Sequence, residues 1–188
     1  MLFKASKADI ISLLRIPIAF ILTFTLLKGY FSLSLVIFIF GALSDFFDGY
    51  LSKLYGKSKY GVFIDPVSDR VFMGLSLIGV YFSPLDRNIS KFIPLLIIGQ
   101  DILLSPLGFY MSLLSLKRNM KAKTSPLGKV TTLLQYMFVI LVLSVNIFRV
   151  SLSFTPFEIL VILSSIASGV HHLYIWLHTL RRTVYQPP

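Results

Sequence analysis

The chain has 188 residues, no cysteine, 55% hydrophobic residues and a mean hydropathy of +0.80. That balance lies outside the soluble globular range and points to a membrane protein, while the missing cysteine excludes a disulfide framework, thiolate metal ligands and a thiol nucleophile. A net charge of +10 would point to nucleic acid in a soluble chain; here the basic residues gather between apolar runs, where topology and anionic headgroups account for them and no nucleic acid is expected.

A helix needs about 20 largely apolar residues to cross the hydrocarbon core. Six stretches fit, roughly 9–28, 33–54, 65–83, 91–116, 127–148 and 156–178. The leading MLFKASKADI enters the first stretch without a small-residue cleavage site, so the stretch reads as a retained span. No repeat, low-complexity tract or linker interrupts the chain. The expectation is one all-α domain over 1–188, an integral membrane bundle of about six transmembrane helices, because only helices and closed barrels satisfy the backbone in lipid.

Each stretch carries a few polar residues. Arg15 lies about one turn inside the first, where a long cationic side chain can snorkel to the interface. The third opens at Asp65-Pro66, an N-cap aspartate followed by a proline suited to the first helical position, which predicts a helix start there. Gln100 and Asp101 form a polar pair inside the fourth, suited to packing between helices. His171, His172 and His178 lie in the sixth beside Tyr174 and Trp176, and read as packing or interfacial residues within an aromatic belt. The N-terminus, the second and fourth connections and the tail hold 12 of the 18 Lys and Arg; the other connections hold four, Lys28, Arg87, Lys91 and Arg149. By the positive-inside rule both termini and the connection after the second span are cytosolic.

Charge is concentrated once. Four of the eight acidic residues lie in DFFDGYLSKLYGKSKYGVFIDPVSD, residues 45–69. Asp45 and Asp48 are spaced i, i+3 and Asp65 and Asp69 i, i+4, so on helices each pair shares a face. Between them lie Gly49, Gly56, Gly61, Lys53, Lys57 and Lys59. If the two helices are neighbours, four carboxylates converge, and they repel unless a cation sits among them. Hard divalent ions with oxygen ligands, magnesium or manganese, answer that need, and such sites commonly keep positions open for substrate phosphate. Two other readings stand beside this one. The pairs could be solvated helix-end charges, or, in a different class of protein, part of the ion pathway of a small transporter.

The same stretch resembles the CDP-alcohol phosphotransferases, whose pattern is D-x-x-D-G-x-x-A-R, a spacer, then G-x-x-x-D-x-x-x-D. Asp45, Asp48, Gly49, Gly61, Asp65 and Asp69 match; Ser52 stands for the alanine and Lys53 for the arginine. Lysine keeps the charge but lacks the planar fork that grips phosphate in two places. The resemblance implies that Asp45, Asp48, Asp65 and Asp69 share two Mg²⁺ or Mn²⁺ ions and that Asp69 also takes the acceptor hydroxyl's proton. It implies that Asp45, Asp48, Gly49, Ser52, Lys53 and Gly61 bind the CDP moiety of CDP-diacylglycerol, and that CMP leaves. Cytidine nucleotides are cytosolic, in agreement with the charge asymmetry.

Three further stretches are similar to the phosphatidylglycerol-phosphate and cardiolipin synthase branch. IISLLR at 10–15 is a loose version of N-x-L-T-x-x-R and makes Arg15 a candidate for holding substrate. Gln100-Asp101 stands where arginine and an acid are usual. SPLGKVTTLLQ at 125–135 matches G-K-x-K-T-x-x-Q at Gly128, Lys129, Thr132 and Gln135. Lys129, with Arg118, Lys121 and Lys123 before it, makes a basic rim suited to phosphate. The resemblance therefore implies glycerol 3-phosphate as acceptor, with phosphatidylglycerol or inositol phosphate as alternatives. It also implies a homodimer. The expected location is a bacterial plasma membrane, with the active site at the cytosolic face by the charge asymmetry.

Overall fold

The computed structural model describes the backbone of residues 7–55, 61–85, 91–117, 126–150 and 155–185, and the side chains of 9–44, 47, 64–85, 91–104, 127–150 and 155–178. The described residues form six helices and no strand: α1 (Lys7–Leu27), α2 (Phe31–Tyr55), α3 (Gly61–Phe82), α4 (Phe92–Lys117), α5 (Pro126–Phe148) and α6 (Thr155–Tyr185). The all-α expectation holds, helix for helix. Among the described residues three stretches are long and apolar enough to cross a membrane, Asp9–Leu27, Leu127–Phe148 and Thr155–His178, and Phe31–Ser44 and Phe92–Leu104 are shorter apolar stretches.

One expected boundary moves. The third helix does not start at Asp65-Pro66 but one turn earlier, at Gly61, and Pro66 lies inside it. Proline in the second turn forfeits a single backbone bond near the helix end, far less than at mid-helix. The shift matters, because it puts Gly61, Asp65 and Asp69 at i, i+4 and i+8 on one helix.

The chain forms two compact units, Met1–Leu95 with Val139–Phe154, and Leu96–Phe138 with Thr155–Pro188. The boundaries fall within α4 and α5, so neither unit is a separate run of sequence.

In the first unit α1 packs on both α2 and α3. The inward stripe of α1 is Asp9, Ser12, Arg15, Ala19, Leu22 and Leu26, all buried, whereas Ile10, Leu13, Leu14, Phe20, Ile21 and Phe24 are exposed. The helix is thus apolar outward throughout, and its buried charged residues, Asp9 and Arg15, lie in its first half, the pattern of a lipid-facing helix beside a polar site. Its far half is closed by contacts of small residues. A Cβ on Gly79 would lie 2.6 Å from Leu26 Cδ1, so α1 and α3 approach closely there. The Thr23 hydroxyl lies within hydrogen-bond distance of the Ala19 and Leu75 carbonyls, at 2.9 and 3.0 Å. Between α2 and α3, Phe38 stacks on Phe72 at 5.5 Å, and a Cβ on Gly41 would collide with the Phe72 ring.

The turn from α1 to α2 is a Schellman motif. Gly29 has φ +75°, its N–H donates to Leu26 O at 3.0 Å, and the Tyr30 N–H donates to Thr25 O at 3.0 Å. Glycine without a Cβ adopts that left-handed conformation without strain.

In the second unit α4, α5 and α6 meet along a polar seam on α6. Gln100 Nε2 donates to Ser165 O at 2.6 Å, Gln135 Nε2 to Ser165 Oγ at 3.3 Å, and the Thr131 hydroxyl lies 3.0 Å from Ser164 O. Polar side chains tying helices in this way replace the hydrophobic drive that lipid does not supply.

Candidate active site

The centre of the first unit's polar end is the α3 carboxylate pair. Asp65 and Asp69 are one turn apart on α3, and a different side chain of α1 engages each. Ser12 Oγ donates to Asp65 Oδ1 at 2.7 Å. Arg15 Nη1 donates to Asp69 Oδ1, forming an ion pair. The Arg15 Nε–H turns the other way and donates to Ser44 Oγ of α2 at 3.1 Å, and the Ser44 hydroxyl in turn donates to Gly41 O at 2.7 Å. A hydrogen-bonded chain therefore runs from α3 through α1 to α2.

Arg15 is fully buried, while the Asp69 side chain keeps 40% of its surface exposed. Of the two readings open for Arg15, snorkelling is disfavoured, because its guanidinium is held by a carboxylate and a hydroxyl inside the first unit. A charge buried in an apolar bundle is tolerated only with such partners. Ser68, between the two aspartates in sequence, is buried and its hydroxyl has no hydrogen-bond partner among the described residues.

The α2 pair belongs to the same end. Ser44, which meets Arg15, immediately precedes Asp45 and is one turn from Asp48. Positions 45, 48, 49, 52 and 53 all fall within α2, and their spacing puts Asp45, Asp48, Gly49, Ser52 and Lys53 on one strip of that helix. Their side chains, and those of residues 61–63, lie outside the described ones. Among the described residues no three His, Cys, Asp or Glu converge. Asp65 and Asp69 offer hard carboxylate oxygens at adjacent turns, one of them well exposed, a donor set that fits magnesium or manganese.

The acceptor candidates are distributed unevenly. Lys129 is exposed in the first turn of α5. Gly128 beside it meets α6 closely: a Cβ there would lie 2.8 Å from His172 Cε1. His172 Nδ1 lies 2.8 Å from Ser168 O, so in the neutral ring that nitrogen carries the proton. Its ring also meets Trp176 at 5.6 Å, and His178 stacks on Tyr174 at 6.2 Å; these contacts agree with packing histidines. Gln100 ties α4 to α6 and lies against Gly169, whose Cβ would come within 2.8 Å of Gln100 Nε2. Gln135, matched in the same stretch as Lys129, is buried and serves the same seam. Arg118, Lys121 and Lys123 lie outside the described residues. Ser44 was missed by sequence reasoning. Its only signal was its place one residue before Asp45, since a lone serine in an apolar run does not disclose its partner.

A chain of apolar helices with an i, i+3 aspartate pair on α2 and an i, i+4 pair on its neighbour α3 has the features of the class of membrane-embedded enzymes the motif resembles. Residues 6–177 match CDP-alcohol phosphatidyltransferase, and the chain belongs to that family. It is similar to proteins named CDP-diacylglycerol–glycerol-3-phosphate 3-phosphatidyltransferase. One from Aquifex aeolicus is 34% identical over 145 residues, covering 76% of this chain and 78% of that protein. One from Wigglesworthia glossinidia brevipalpis is 39% identical over 101 residues, 49% of this chain and 54% of the relative. One from Rickettsia felis is 29% identical over 104 residues, 55% of this chain and 54% of the relative. For these last two the match spans about half the relative's length.

Proposed function

We propose that the protein transfers a phosphatidyl group from CDP-diacylglycerol to glycerol 3-phosphate, giving phosphatidylglycerol phosphate and CMP. The observation that carries this reading is the α3 pair Asp65 and Asp69, each oriented by a donor from α1, with the motif positions Asp45 and Asp48 on the neighbouring α2. The names of the similar proteins support the choice of substrates.

The acceptor's primary hydroxyl attacks the phosphorus bonded to diacylglycerol, and the bond from that phosphorus to CMP breaks. Asp69 takes the hydroxyl proton. Asp45, Asp48, Asp65 and Asp69 would hold two Mg²⁺ or Mn²⁺ ions, which when bound neutralise the pyrophosphate and the departing CMP. Gly49 and Gly61, lacking Cβ atoms, admit the nucleotide close to the backbone. Ser52 and Lys53 lie on the same strip as Asp45, and Lys53 contributes positive charge to the pyrophosphate. Catalysis is then mainly positioning and electrostatics, as in other phosphoryl transfers. Lys129, with Arg118, Lys121 and Lys123 before it in sequence, supplies positive charge suited to the acceptor's own phosphate. Gln100 and Arg15, the remaining candidates for that role, have partners inside the bundle. The charge asymmetry supports a cytosolic aspartate end, the bacterial sources of the similar proteins support a bacterial plasma membrane, and the family resemblance supports a homodimer.

The test supplies purified protein and CDP-diacylglycerol with glycerol 3-phosphate, phosphatidylglycerol, inositol phosphate or serine in turn, and identifies the lipid product by mass. Phosphatidylglycerol phosphate is expected, with Lys129→Ala raising the KM for glycerol 3-phosphate. A product formed only with another acceptor would refute the substrate assignment and leave the reaction class intact. Absence of CMP release under every condition would favour a carrier.

A further inference from the structure

We propose that α1 is the orienting template of the α3 carboxylates: Ser12 sets Asp65, and Arg15 sets Asp69 while serving as a resident counter-charge with which a divalent cation competes. This rests on the reading of Asp65 and Asp69 as metal-holding carboxylates. It gives Arg15 the part of a positioning residue in place of a substrate-holding one.

Three observations carry it. First, the two α1 donors are spaced i, i+3 and the two α3 acceptors i, i+4, so a single helix–helix contact pairs them in register, Ser12 with Asp65 and Arg15 with Asp69. Second, Arg15 and Ser12 are both fully buried. A buried guanidinium is severely destabilising without an anion, and its fork is fixed at both sides, by Asp69 on α3 and by Ser44 on α2. Ser44 is itself locked by its bond to Gly41 O, at the point where α2 and α3 approach so closely that a Cβ would strike Phe72. The guanidinium therefore has a rigid seat, and a rigid seat fixes the carboxylate it holds. Third, Asp69 remains partly exposed, so Arg15 engages it from the protein side while its other side stays open to a ligand.

A positive charge so placed has two opposite effects. It holds a carboxylate in orientation and relieves repulsion among the aspartates before a metal arrives. It also weakens the pull of that carboxylate on an incoming cation. Removing the charge should tighten metal binding and slow the reaction together. A purely structural arginine would not separate the two quantities in that direction. A substrate-binding arginine would change KM instead.

The experiment titrates Mn²⁺ into purified full-length protein without substrate, reading free Mn²⁺ by electron paramagnetic resonance, and then measures kcat and KM at saturating metal. Arg15→Met is expected to bind Mn²⁺ about tenfold tighter than the unaltered protein, with kcat at least tenfold lower (roughly) and KM for either substrate within about twofold. Ser44→Ala, which keeps the charge and loosens its seat, is expected to keep Mn²⁺ affinity within about twofold and to lower kcat about threefold or more. Ser44→Ala also serves if Arg15→Met does not fold; unchanged kcat in Ser44→Ala would then overturn the proposal. Unchanged or weaker Mn²⁺ binding by folded Arg15→Met overturns it too, as does a rise in KM alone. Asp69→Asn separates the two levels of inference. If it weakens Mn²⁺ binding while Arg15→Met has no effect, only the role of α1 fails. If Asp69→Asn binds Mn²⁺ as the unaltered protein does, the metal reading falls and this one with it.

Discussion

At the scale of single residues, the aspartates differ in what surrounds them. Asp65 meets a neutral hydroxyl, Asp69 a guanidinium. Asp69→Asn keeps the size of the side chain but removes a charge and a proton acceptor. It should lower kcat about 100-fold or more while weakening CDP-diacylglycerol binding far less, as measured by CMP release and by binding of a non-reacting donor analogue. EDTA should abolish turnover, and Mg²⁺ or Mn²⁺ should restore it; full activity in excess chelator would remove the metal from the mechanism. Ser68 provides a contrast. Its buried hydroxyl has no hydrogen-bond partner among the described residues, so Ser68→Ala should relieve an uncompensated desolvation instead of breaking a bond. Its thermal unfolding in detergent should be unchanged or correspond to about 1 kcal/mol of added stability; a clear loss would mean that the hydroxyl is paired.

At the scale of helices, close approach sets what a glycine position tolerates. Gly41 faces the Phe72 ring, which is fully buried and has no room to swing aside. Gly41→Ala should therefore destabilise by about 1–3 kcal/mol through overpacking. Its neighbour Ser44 is the seat of Arg15, so kcat should fall as well. Gly74, on α3, has nothing among the described residues within 4 Å of the position of a Cβ. Gly74→Ala should stabilise by up to about 1 kcal/mol through helix propensity alone. Unfolding curves of the two variants side by side test the packing of α2 on α3; equal behaviour would contradict it. The early start of α3 belongs to this scale too. A local rule, aspartate then proline, marked Asp65 as the cap, but the helix extends back to Gly61 and carries the whole G-x-x-x-D-x-x-x-D motif on one face.

At the scale of the molecule, orientation in the membrane is the open consequence of the charge pattern. With no native cysteine, single cysteines report without background. Lys57→Cys should be shielded from an impermeant maleimide in intact cells, and Lys28→Cys, exposed beyond the end of α1, should be labelled. The reverse pattern would put the aspartates on the other side of the membrane from cytosolic nucleotide.

The amino-acid sequence alone determined that the protein is helical and membrane-embedded, because lipid admits few backbone solutions and the apolar runs are long enough to be read by length. It determined the reaction class as well, because the four aspartates and two glycines keep a fixed spacing within 25 positions, a local pattern that needs no knowledge of distant contacts. Only the tertiary structure decided the company of Arg15. Its partners are 54 and 29 residues away in the chain, and hydropathy treats a buried ion pair and a snorkelling side chain alike, since both are one charge in an apolar run. The same holds for Gln100, Gln135 and Thr131, whose bonds to α6 span 65, 30 and 33 residues. Periodicity finds which face of a helix is polar; which helix that face meets, and in what register, is fixed by packing.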